Sequence, residues 1–325
     1  MPRLNYETTD TVIYDPVASH GNATRAALLS LGFRKVEAAP SLEAFNEIIW
    51  RSAPDLALCE AQGADAKLCE MIQDLRQGIS GYANPFLVII VTAWEKTHSL
   101  VNRVLNSGAD DLLLRPFSVS VLGSRIDTHV ERRKNFVITH DYVGPDRRSD
   151  PTRVSTVDLF RPPNSLKMKA MDGLSVHEAQ ARLSRELRSA KETLNSEKLR
   201  RDAFQICILW RLLQEPDDPS GVTYLAKLAH LTQSMAKRCR LTDFEKAQEW
   251  CESIQAAVEG LHFGVDRNAS MHLLGHAALN LNQLLQPEKP KADHLRAIEE
   301  TVEKIHARSL GLINAENPLP KAEAG

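Results

Sequence analysis

The sequence predicts an α/β domain with a doubly wound, five-stranded parallel sheet, followed by an all-α helical bundle. Three observations carry this. Over residues 10–133, short apolar runs alternate with stretches whose apolar residues recur every three or four positions. The apolar runs are nearly unbroken, as expected for strands covered on both faces. From Ser175 onward only the helical beat remains.

Taken in order, Thr11–Tyr14 reads as the first strand. Ala27, Leu28 and Leu31 then share one helical face, which stops at Gly32, a residue suited to a left-handed helix end. Lys35–Ala38 is the second strand. Ser41 is placed to cap a helix whose Phe45, Ile48 and Ile49 point inward. Leu56–Leu58 forms the third strand, followed by a helix carrying Leu68, Ile72 and Leu75. Phe86–Val91 is the fourth, and its helix, with Leu100, Val104 and Leu105, ends at Gly108. Leu112–Leu114 is the fifth, and Ser118 opens the last helix, with Leu122, Ile126 and Val130 inward.

Residues 134–173 change character. Pro145, Pro151, Pro162 and Pro163 interrupt helices, and nine basic residues from Arg132 to Lys169 outnumber four acids. The reading is a basic, extended linker. Residues 174–315 are expected to form a helical bundle serving dimerisation or output, with a disordered tail at 316–325. Ser175–Glu178 and Thr242–Glu245 have capping-box spacing. A helix from 175 could run to about Leu213, and its stripe Leu183, Leu187, Ala190, Leu194 is coiled-coil-like. Turns are expected at 216–221 and around Pro287 and Pro290. Three later stripes keep a step of three and four: Phe244 to Leu261, Met271 to Leu285, and Leu295 to Ile305.

Composition narrows the function. Forty basic against forty-two acidic residues leave no chain-wide positive footprint for nucleic acid. No run approaches the roughly 18 apolar residues of a membrane span. Five cysteines, odd in number and without a CxxC pair, favour reduced thiols and a cytoplasmic setting.

Four residues fall at the carboxyl ends of the predicted strands, where open α/β sheets bind ligands. They are Asp15, Glu60, Thr92 and Arg115. Acids that hold a divalent cation, with a hydroxyl and a cation for phosphoryl oxygens, are what phosphoryl transfer to a carboxylate requires. At this point the chain resembles the response-regulator receiver domain of two-component signal transduction. "VIYDP", "PDLAL", "VTA" and "SGADDLLLRPF" carry the resemblance over residues 10–133. It implies the flavodoxin-like fold, a phosphoacceptor aspartate after the third strand, and magnesium held by that aspartate and an acidic pair after the first.

This chain departs from the pattern inside that pocket. Glu60 occupies the phosphoacceptor position, and Pro16 follows Asp15 where a second acid is expected. Arg115 replaces the usual lysine, and Leu112 stands at the switch position of an aromatic ring. Glutamate projects one methylene further, and a misplacement of about 1 Å can cost on the order of a hundredfold in rate. One carboxylate fewer weakens any magnesium site at Asp15 and Glu60, so no cofactor is expected. Arg115 could pair with the longer Glu60 and imitate a phosphorylated state. A solvent-facing pair, however, contributes less than about 1 kcal/mol net.

The expected function is therefore that of an atypical, non-catalytic response-regulator-like protein acting by protein–protein contact. A kinase or downstream signalling protein is the expected partner. The face formed by residues 96–133, or the helix at 175–213, would support a homodimer. The alternatives are a phosphorelay regulator with altered magnesium and phosphate chemistry, or a DNA-binding regulator acting through the helical half. In the last case residues 224–243 would have to form a helix-turn-helix rather than one continuous helix.

Overall fold

A computed structural model describes residues 4–78, 84–147, 159–171, 174, 176–215, 220–240 and 244–309. The first domain runs β1 (Asp10–Tyr14), α1 (Ala18–Ser30), β2 (Lys35–Ala39), α2 (Leu42–Ser52), β3 (Leu56–Glu60) and α3 (Asp65–Gln77). It continues with β4 (Val88–Ala93), α4 (His98–Ser107), β5 (Asp111–Leu114) and α5 (Val119–Arg132). The five strands are parallel in the order β2-β1-β3-β4-β5, the flavodoxin-like arrangement.

Strand alternation divides the core between the two faces of the sheet. Val12, Tyr14, Ala57, Cys59, Ile89 and Val91 meet Phe45, Ile49, Leu68, Ile72 and Val104 from α2, α3 and α4. Ile13, Leu56, Leu58, Val88 and Ile90 meet Leu28, Leu122, Ile126 and Val130 from α1 and α5. The expected caps are present. Ser41 accepts from Ala44 N–H and Ser118 from Val121 N–H, each at 3.2 Å. Gly32 and Gly108 hold φ of +101° and +87°, where a side chain would be strained.

The fourth strand begins two residues later than its apolar run. Leu87 N–H bonds the Asn84 carbonyl in a turn, and Phe86 packs with Phe136, Ile138 and Val143.

That packing corrects the linker expectation for 134–173. Phe136–Ile138 (β6) and Val143–Pro145 (β7) form an antiparallel hairpin, Phe160 bridges Phe136, and Ser165–Ala170 is a short helix, α6. Leu166 and Ala170 enter the core face of α1 and α5. The charge count misled because two of its cations are internal partners. Arg133 Nε meets Asp110 at 2.8 Å, and Lys169 Nζ lies 2.7 Å from both Asp10 and Asp55. Residues 148–158, with Pro151, lie outside the described residues.

The next helix, α7 (Val176–Leu212), contains the division between the chain's two compact units, at Leu194/Asn195 rather than near 174. Ala190 and Leu194 are buried, and Leu187 half-buried, against the β6–β7 hairpin and Phe86. The stripe read as a coiled-coil seam is thus used within the first unit.

The second unit continues with α8 (Gly221–Cys239), α9 (Glu245–His262), α10 (Arg267–Leu285) and α11 (Lys291–Ser309). Ala247, Cys251, Ile254 and Val258 pack with Leu274, Ala278 and Leu281 and with Ile298 and Val302, as their spacing predicts. Leu295, placed in the last stripe, is instead 45% exposed. Helix α8 is continuous, and its Arg238 is buried, with Nη1 donating to Asn195 Oδ1 at 2.6 Å. Ser175, Pro216–Pro219, Thr242, Asp243 and the tail 316–325 fall outside the described residues, and with them the capping boxes, most of that turn and the tail.

Candidate functional site

Parallel pairing brings the strand ends together. Register sets Glu60 beside Thr92 and Tyr14 beside Cys59, so Asp15, Glu60 and Thr92 emerge on one rim. Arg115 follows β5, and its backbone N–H bonds the Ala93 carbonyl at 2.7 Å. The Arg115–Pro116 peptide is cis.

The side chains form one closed network. Glu60 Oε2 accepts from Thr92 Oγ1 at 2.7 Å and from Arg115 Nε at 2.8 Å. Glu60 Oε1 accepts from the Gln62 N–H at 3.1 Å. Arg115 Nη2 donates to Asp15 Oδ2 at 3.1 Å and to Thr24 Oγ1 at 3.0 Å. Asp15 Oδ1 accepts from the Val17 N–H at 2.9 Å. The guanidinium thus spans two carboxylates instead of pairing both its donors with Glu60, and it lies over Phe117 and Trp94, 4.9 and 5.9 Å from the ring centroids.

Burial changes the energetics expected from a surface pair. The Arg115 side chain is 8% exposed, Glu60 0% and Asp15 1%. Each charge has left bulk water, so the network depends on the hydrogen bond that every carboxylate oxygen of Glu60 and Asp15 accepts. Removing one partner of such a pair costs about 3–5 kcal/mol, because the other is left buried and uncompensated.

The four predicted rim residues therefore meet. Leu112 sits apart from them, half-buried and in register with Val91, against the core face of α2–α4. Thr24, Trp94 and Phe117 escaped the sequence reading. Phe117 follows Arg115–Pro116 and Trp94 follows the last residue of β4, so both could have been suspected. Thr24 lies inside α1, and no spacing signal ties it to Arg115. Beside the network, Glu60, Gln62, Asp65, Trp94, Glu95 and Thr97 line a cavity of about 260 Å³.

A second charged cluster lies at the opposite ends of the strands, before β5. Asp110 Oδ2 accepts from Arg76 Nη2 at 2.9 Å, and Oδ1 from Arg133 Nε at 2.8 Å. Arg76 also donates to the carbonyls of Pro85, Leu87 and Gly108. Burial presses its guanidinium down to about 10. Burial also disfavours the Asp110 charge, but Arg133 and Arg76 outweigh it and hold the carboxyl below its ordinary 3.8. The Arg76 and Arg133 guanidiniums also lie over the Phe136 ring of β6, 5.2 and 5.1 Å from its centroid.

Among solved structures, the chain is similar to a CheY-like response-regulator receiver domain from Methanospirillum hungatei. Identity is 19%, over 38% of this chain and 95% of that one, with a TM-score of 0.34. A response regulator from Thermotoga maritima aligns at 22% identity over 37% and 96% of the two chains, with a TM-score of 0.32. DrrB of Thermotoga maritima, an OmpR/PhoB homologue, aligns at 18% over 55% and 73%, with a TM-score of 0.33. No protein-family model matches the chain. No curated protein matches it either.

Proposed function

We propose that residues 10–133 act as a phosphorylation-independent, receiver-like signalling module that works by protein–protein contact. One observation carries this reading: the single Glu60 oxygen Oε2 accepts from both Thr92 and the buried Arg115. The hydroxyl and cation that would bind phosphoryl oxygens are already engaged by a permanent carboxylate.

Magnesium has no place in this reading. Arg115 and the Val17 N–H take the two oxygens of Asp15, Pro16 adds no second acid, and a guanidinium stands between the acids where a cation would be held. Hard divalent cations need several free oxygen ligands. The module is not a catalyst of its own modification.

The surface it offers is the one running from α4 to α5, where Leu114, Val119 and Val121 are exposed. A signalling protein, or a second copy of the chain, would dock there.

Labelling with a small phosphodonor and magnesium tests the proposal. The unaltered chain should take no label, whereas Glu60→Asp combined with Pro16→Asp should recover some. Equal label on both would overturn it.

A further inference from the structure

We propose that the second unit binds a small monocarboxylate with an apolar body, in the gap between α10 and the start of α11. The gap follows from how α11 begins. Leu295, Ile298 and Val302 share one helical stripe, and Ile298 and Val302 are buried, yet Leu295 is 45% exposed. The neighbouring His294 is buried instead. Its Nδ1 lies 3.0 Å from Asn282 Nδ2, and its Nε2 lies 3.3 Å from the Gln286 carbonyl. An amide nitrogen only donates, so Nδ1 accepts and Nε2 carries the proton toward the carbonyl. Both ring nitrogens are thereby engaged, and His294 offers a ligand only the face of its ring.

The cavity left between the helices measures about 260 Å³, with His276, Leu279, Lys291, His294 and Leu295 among its walls. No carboxylate lines it among the described residues. Lys291 and His276 are both exposed. Neither the Lys291 ammonium nor the His276 ring has a hydrogen-bond or ion-pair partner among the described residues. The His276 ring stands edge-on to Trp250, with centroids 5.6 Å apart, so the indole reports on this wall of the cavity.

These groups select the ligand. An unpaired ammonium in a cavity without acids favours an anion and disfavours a cation. The His276 imidazole adds a second donor for the same carboxylate. Leu279 and the half-exposed Leu295 gain from covering an apolar body. One lysine matches a single negative charge, whereas a phosphate monoester brings nearly two. The volume lies just below the roughly 300–1,000 Å³ of drug-sized sites, which suits a short alkyl or single-ring acid.

The full-length protein, with its four tryptophan indoles isotopically labelled, is titrated with phenylacetate, phenylacetamide and phenethylamine and followed by NMR. The Trp250 indole N–H should shift saturably with phenylacetate, and hexanoate should compete. The amide and the amine should bind at least about tenfold more weakly, since they forgo hydrogen bonds to a charged group. Lys291→Glu should weaken phenylacetate by a similar factor. If that variant does not fold, the comparison of acid with amide on the unaltered chain decides alone. No saturable shift of Trp250, equal binding of acid, amide and amine, or unchanged binding by Lys291→Glu would each overturn the proposal. A Trp250 shift that follows protein concentration without added carboxylate would give the cavity to a second copy of the chain, and would overturn it too.

Discussion

Arg115 Nε lies 2.8 Å from Glu60 Oε2, and the same guanidinium reaches Asp15 with Nη2 at 3.1 Å, all three side chains being almost wholly buried. A cation is thereby clamped between the two acids of a rim that otherwise resembles a phosphoryl pocket. Two predictions concern that clamp and its pocket, and two concern the hairpin at the opposite ends of the strands.

Arg115→Met should destabilise the first unit by about 3–5 kcal/mol in a denaturant titration, because Glu60 and Asp15 are left buried without their cation. Glu60→Gln/Arg115→Met should cost less than the sum of its two single changes, with a coupling of about 0.5–3 kcal/mol. Additive costs would mean that the two side chains do not act together.

Arg115→Lys should rescue the clamp only in part. A single ammonium is a point charge and cannot span Glu60, Asp15 and Thr24 as the planar fork does. We expect the lysine variant to sit between wild type and Arg115→Met in denaturation midpoint.

Asp110 sets the acid response. Its carboxyl is held below 3.8 when folded, so its stabilisation is complete above that value and is lost as pH falls through the lower folded value. Asp110→Asn should flatten the fall in stability below about pH 4. At neutral pH it should cost about 3–5 kcal/mol, because Arg76 and Arg133 lose their shared anion. Denaturant midpoints from pH 2 to pH 7 would measure both effects.

Leu194→Ala should destabilise the first unit by about 2–5 kcal/mol, since Leu194 is 1% exposed against the hairpin. That loss should be independent of protein concentration. A concentration-dependent midpoint would return Leu194 to an interface between chains.

The sheet was legible because its strands are short, apolar and punctuated by Gly32, Gly108, Ser41 and Ser118, all local signals. The rim was legible for the same reason: once the strands are placed, Asp15, Glu60, Thr92 and Arg115 must meet. The 134–173 segment was not, because its character depends on partners distant in sequence. Arg133 and Lys169 count as exposed cations until Asp110, Asp10 and Asp55 are known to be beside them. Leu187 and Leu194 misled similarly, as a heptad-like stripe does not say whether it packs on another chain or on a hairpin of its own.

The most direct test follows the Arg115 Nε–H resonance in the full-length protein by NMR while magnesium and beryllium trifluoride, a phosphoryl analogue, are added. Should the guanidinium remain bonded to residue 60, that signal will stay protected from exchange and unmoved throughout the titration. A saturable shift or loss of protection, with matching changes at Thr92 and Asp15, would mean that the pocket opens to accept a phosphoryl group.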